Sequence, residues 1–136
     1  MSYAVSGALQ AAVFQALSGD TALGALVGPA IYDEVPAGET PAVYVVLGAE
    51  TATDRSDATG SGTLHLLTVT VVSEAAGYAQ AKAAAGAVAE VLVQPMSLSR
   101  GQLVYMHFDR AVARRAGPAG SARQIDLRFR ARVDDV

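Results

Sequence analysis

The sequence predicts an α+β domain: a four-stranded, mainly antiparallel sheet with two helices packed on one face, in the order α-β-β-α-β-β. Three observations carry that expectation. Thr63 to Ser73 is a run of β-branched and aliphatic residues, which suits a pleated surface because stiff χ1 angles cost little there. After Gly77 the apolar period lengthens, with Tyr78, Ala81, Ala85, Val88 and Leu92 forming one stripe of an amphipathic helix. Near the end, Ile125, Leu127, Phe129, Ala131 and Val133 alternate strictly with Gln124, Asp126, Arg128, Arg130 and Arg132, the period-two mark of a strand with one covered face.

The remaining elements follow in chain order. Ser2 to Leu17 reads as a helix with Leu9, Val13, Ala16 and Leu17 on one face, stopped by Ser18-Gly19. Asp20 is a good N-cap for a short helical turn from Thr21 to Val27, closed by Gly28-Pro29. Ile31 to Val35 is a short extended piece, and Pro36 to Pro41 a turn-rich link. Ala42 to Gly48 is a strand whose nearly continuous apolar character predicts cover on both faces. In the Thr63–Ser73 strand, Leu67, Val69 and Val71 share one face. Leu64, Leu66 and Val72 lie on the other with Thr68 and Thr70, so both faces read as at least partly covered. Between these strands, Glu50 to Gly62 is a polar loop, long beside the roughly two to five residues of most hairpin connections. Such a loop is either functional or ordered only against a partner. The central helix spans Gly77 to Val93 and breaks at Gln94-Pro95. Leu103 to Val112 is a strand with Val104, Met106, Phe108 and Val112 on its apolar face, and Arg114 to Ser121 a flexible basic connection to the last strand.

Length and composition limit the function classes. The chain of 136 residues reads as one domain, residues 1–136, long enough for a core of its own. It holds no cysteine, which excludes disulfides and thiolate metal sites. No apolar run approaches the roughly 20 residues of a membrane span, and no secretory signal pattern opens the chain, so a soluble product assembled in the cytoplasm is expected.

Charge is unevenly placed. Residues 1–75 carry eight acids against one base, Arg55, a net of −7; residues 76–136 carry nine bases against five acids, a net of +4. The split admits three readings: ion pairing across the sheet within one chain, a basic face for nucleic acid, or complementary flanks of identical subunits meeting head to tail in a ring.

Catalytic machinery is not expected. The two histidines, His65 and His107, both fall inside predicted strands, where a packed or surface role is the ordinary one. No His-Glu pair has helical ligand spacing for zinc. Gly60-Ser61-Gly62 enters a strand instead of leaving one, so it is no hydrolase elbow. No phosphate-cradling glycine loop is followed by a lysine, and Asp54 with Asp57 reads as a solvated pair on a polar loop. An enzyme, a cofactor and a metal are therefore not expected. No aromatic stacking platform is evident beside the arginines, which weighs against a nucleic-acid-binding module.

Four runs, in order, resemble the phage tail-completion family whose members act as tail terminators. They are Ala25 to Pro36 (ALVGPAIYDEVP), Pro41 to Gly48 (PAVYVVLG), Leu67 to Ser73 followed by Ala79-Gln80-Ala81-Lys82, and Leu103 to Arg115 with the terminal Leu127-Arg128-Phe129-Arg130-Ala131 strand. The resemblance spans nearly the whole chain. Relatives also occur in gene transfer agents, phage-like particles that package host DNA. Many relatives carry a tryptophan in the loop matching Glu50–Gly62; this chain has none.

The resemblance implies an α/β sandwich that assembles as a homohexameric ring at the head-proximal end of a tail. The ring would cap the tail tube protein, meet the head-completion or stopper protein, and leave a channel through which DNA passes without specific binding. It implies no cofactor and no membrane. Assembly-interface candidates are Asp54, Arg55, Asp57, Arg114, Arg115, Arg123, Arg128, Arg130 and Arg132, the charged residues of the two polar connections and the last strand. Arg128, Arg130 and Arg132 would also keep an open strand edge from pairing at random. The alternatives are another head–tail connector, a stopper or joining subunit, and a small nucleic-acid-binding module.

Overall fold

The structure is a computed structural model that describes residues 3–38, 41–56 and 60–135. The elements are α1 (Val5–Ser18), α2 (Thr21–Val27), β1 (Ile31–Tyr32), β2 (Val43–Asp54), β3 (Gly62–Ser73), α3 (Ala79–Leu92), β4 (Gln102–Ala116), a short 3-10 turn (Pro118–Gly120) and β5 (Ala122–Asp134). The class is α+β as expected, but the sheet has five strands in the order β1-β2-β3-β5-β4 and is mixed, because β1 runs parallel to β2. Three α-helices replace the expected two: Thr21–Val27 closes a full helix on its Asp20 cap. The Asp20 carboxylate accepts from the Leu23 backbone N–H at 2.9 Å. Asp20→Ala is expected to cost about 1 kcal/mol, read by urea unfolding.

The buried residues come from one face of the sheet. Val43 and Val45 of β2, Val69 and Val71 of β3, and Ile125, Leu127, Phe129, Ala131 and Val133 of β5 close over Leu9, Val13 and Leu17 of α1, Leu23 of α2, and Ala81, Ala84, Val88 and Leu92 of α3. The alanines of α3 let that helix approach the sheet closely. On the other face of β2, β3 and β5 only Gly62, under the Arg132 guanidinium, is buried among the described residues. The second face of β3 is partly covered, as expected, and that of β2 less than its apolar run predicts: Val46, Leu64, Leu66 and Val72 are half-buried, Leu64 and Leu66 opposite Arg132 and Arg130 of β5.

Three strand irregularities set what each face presents. In β2 the register steps from Leu47↔Val69 to Glu50↔Leu67, so Gly48 and Ala49 together oppose one residue of β3. A Cβ at Gly48 would stand 3.1 Å from the Thr68 carbonyl oxygen, so glycine permits the tight approach. Beyond this bulge the strand continues to Asp54, longer than the Ala42–Gly48 strand expected from its apolar run. The bulge turns Glu50 toward the helices; without it the next inward position would be Ala49.

In β4 the register shifts at Leu103/Tyr105 and again at Phe108/Arg110. The expected apolar face of Val104, Met106, Phe108 and Val112 is broken up as a result. Met106 is buried, but Val104, Phe108 and Val112 are 52%, 49% and 39% exposed. β4 is also one of the two edge strands, with β1 at the other side. β5 turns back through Gly117–Ser121 and inserts between β3 and β4, so the β5 arginines do not guard an open edge as expected. Bulges do that on β4, since they disrupt the regular ladder a stray strand would need.

Candidate functional site

The charged groups form two systems, one inward and one outward. The inward one begins at the β2 bulge. Glu50 Oε1 accepts from the Tyr3 hydroxyl at 2.5 Å and from Ser6 Oγ at 2.8 Å, and Oε2 meets His65 Nδ1 at 3.0 Å. A carboxylate only accepts, so Nδ1 carries the proton. His65 is fully buried and Nε2 has no hydrogen-bond partner. Burial opposes the Glu50 charge, but the bonds from Tyr3, Ser6 and His65 outweigh it and hold the carboxyl below its ordinary value. Although serine, histidine and glutamate meet here, the order is wrong for nucleophile activation: Ser6 bonds to the carboxylate, not to Nε2. The cluster ties the first turn of α1 to the centre of the sheet. Sequence reading missed it because the bulge that aims Glu50 is invisible to a period-two count; Gly48 inside an apolar strand was the available signal.

The outward system is the uncovered sheet face. Arg128 Nε bonds Asp109 Oδ2 at 2.6 Å, Arg132 Nε bonds Asp134 Oδ1 at 2.9 Å, and Arg114 Nε lies 3.5 Å from Asp126 Oδ2. Burial again opposes the Asp126 charge, and Gln124, Thr70 and Arg114 together overcome it, holding the carboxyl below its ordinary value. Arg130 is exposed and has no acidic partner among the described residues, and it lies opposite His107 in the register. His107 stacks on Tyr105 with ring centroids 4.5 Å apart and planes at 17°. A stacked pair therefore does stand beside the arginines, where the sequence showed no aromatic stacking platform. Arg128→Ala is expected to change stability by less than about 1 kcal/mol in urea unfolding, because a half-exposed pair is screened by water.

The nine interface candidates do not converge. Asp54 and Arg55 lie at one end of the sheet with Arg132, whose guanidinium crosses Gly62. The Asp54 carboxylate accepts from the backbone N–H and hydroxyl of Ser56, which holds it below its ordinary value, and Arg55 donates to the Asp54 carbonyl. Asp57 falls outside the described residues, as does much of the Glu50–Gly62 loop. Arg114, Arg115 and Arg123 lie at the other end. Arg114 and Arg115 belong to β4, not to a flexible connection, because the strand runs on to Ala116. Arg123 donates to the carbonyls of Gly120 and Ala76 and lies 5.5 Å from the Tyr78 ring, so it fastens the hairpin end to the start of α3. Arg128 and Arg130 lie between the two ends.

Ion pairing does not cancel the charge split. Among the described residues every Arg–Asp pair lies within residues 100–135. Among those residues Asp33, Glu34 and Glu74 of the acidic half reach no arginine, and Arg110, Arg115 and Arg130 of the basic half reach no acid. Pairing across the sheet is real, yet it joins acids and bases of the same half.

Among the described residues no group of three or more His, Asp or Glu is arranged to hold a metal ion, and no helix is long and apolar enough to cross a membrane. No curated protein matches the chain. Among solved structures, a chain of one described as "Virion of native gene transfer agent (GTA) particle" is 54% identical with a TM-score of 0.91, covering 98% of this chain and 99% of that one. The family profile described as "Tail completion protein gp17" matches residues 11–134. A structural role in a tail, without catalysis, follows from that match and agrees with a surface built of ion pairs and strand edges. The chain belongs to the tail completion protein gp17 family.

Proposed function

We propose that this chain is a tail terminator of a phage or phage-like particle such as a gene transfer agent. Six copies close into a ring on the head-proximal end of the tail tube, stop its growth, and offer the opposite surface to the head-completion or stopper protein. DNA passes through the ring without specific contacts. The likeness in sequence and shape to a chain of a native gene transfer agent virion carries the reading, since it runs over nearly the full length of both chains. The uncancelled charge split supports it, because a ring needs two different, mutually complementary patches on each subunit. A net charge of −3 supports free transit of DNA, since close phosphate contacts would hold the duplex in the channel.

Removing the chain from a producing cell tests this directly. Tubes of unregulated length, unattached to heads, are the expected product in electron micrographs. Tubes of normal length that fail only to join heads would assign the chain to the stopper instead, and normal particles would end both readings.

A further inference from the structure

The two flanks of the sheet differ in kind. One is the β4 edge, with the unpaired bases Arg110 and Arg115 and the exposed side chains of Val104, Phe108 and Val112. The other flank, beyond β1 at the opposite edge of the sheet, is formed by the segment leaving β1 and the Gln10–Phe14 side of α1. There the exposed acids Asp33 and Glu34 reach no cation among the described residues, and two adjoining hollows of about 440 and 260 Å³ share Gln10 and Asp33. Phe14 borders one hollow and Tyr3 the other, 39% and 64% exposed.

Resting on the ring reading above, we infer that the β4 edge of one copy seats on the α1–β1 flank of the next. Arg110 and Arg115 then face Asp33 and Glu34, and the apolar side chains of β4 cover Phe14 and the hollows. The occupant is a second copy of this chain because each flank supplies what the other lacks in charge, and both expose large apolar side chains a solitary domain would bury. A two-fold contact would set like on like; opposite flanks force a head-to-tail contact, which closes into a ring when the rotation per subunit allows.

Charge exchange tests the contact. R110E/R115E and D33K/E34K are made separately, and wild type, each variant and their equimolar mixture are followed by analytical ultracentrifugation, alone and with tail tubes. Among the described residues none of these four side chains has a bonded partner, so circular dichroism is expected to show both variants folded. Each variant alone is expected to shift the assembly midpoint by at least about tenfold, since like charges now face each other. The mixture is expected to restore rings, because an acidic β4 edge then meets a basic flank and the reverse. Rings that withstand both substitutions, or variants that stay apart when mixed, overturn this contact and leave the ring reading standing. Wild-type protein that is monomeric both alone and with tubes overturns the ring reading itself.

Discussion

Phe129→Ala is expected to lower stability by about 3–5 kcal/mol, the largest single-residue effect in the chain. Phe129 is fully buried midway along β5, between Leu67 of β3 and Phe108 of β4 in the register. Its ring meets Phe108 edge-on at a centroid distance of 5.9 Å. Truncation removes the transfer free energy of a phenyl ring and leaves a void that strands held on both sides cannot close. Phe108→Ala is expected to cost several-fold less, because that ring is half in water already. Urea unfolding of the two variants reads the contrast. Equal losses, or a Phe129 loss below about 1 kcal/mol, would contradict the placement of the core.

Glu50→Ala follows, at about 2–4 kcal/mol, because it strips the acceptor from His65 Nδ1 and Ser6 Oγ, both of which stay buried without one. The expected fall in melting temperature is about 5–15 °C. Asp54→Ala, a few residues on but exposed, is the control and is expected to leave the melting temperature essentially unchanged. The Glu50 carboxyl also carries a pH signature. Its value in the folded chain is lowered from 4.5, so the unfolded chain takes up the proton first as pH falls. The stability it contributes is present above about pH 4.5 and is lost as pH drops through the lowered folded value. Asp126 acts with the same sign from 3.8 downward. Glu50→Gln keeps the shape and an acceptor for His65, and it is expected to remove part of the acid slope of stability. An unchanged slope would mean that Glu50 is not held as a charge.

Much of this fold is written in periods, and those were legible. The alternation from Ile125 to Val133 names the buried face of β5, and the stripe from Ala81 to Leu92 names that of α3. Asp20 announces its own cap. Where a strand gains a residue the period carries no warning. The β4 bulges exchange the roles of Val104, Met106 and Val112, and the β2 bulge brings Glu50 to a histidine fifteen residues away. Pairing order was also hidden. Nothing local to β5 says that it will lie between β3 and β4 and leave β4 as the edge. The interface candidates suffered most from this, since nearness in sequence grouped Arg114, Arg115 and Arg123 although Arg123 is spent on carbonyls within the chain. Arg110, which is not among the nine candidates, is with Arg115 a cation of that edge that reaches no acid among the described residues. The charge split could be counted from residues alone; that its excess stays unpaired on opposite flanks could not.

Cryo-electron microscopy of intact particles tests the central claim most directly. One ring of six copies is expected between the last tube ring and the neck, each copy's β4 edge against the α1–β1 flank of its neighbour. Density for this chain elsewhere in the particle, or at that junction in any form other than a closed ring of itself, would contradict it.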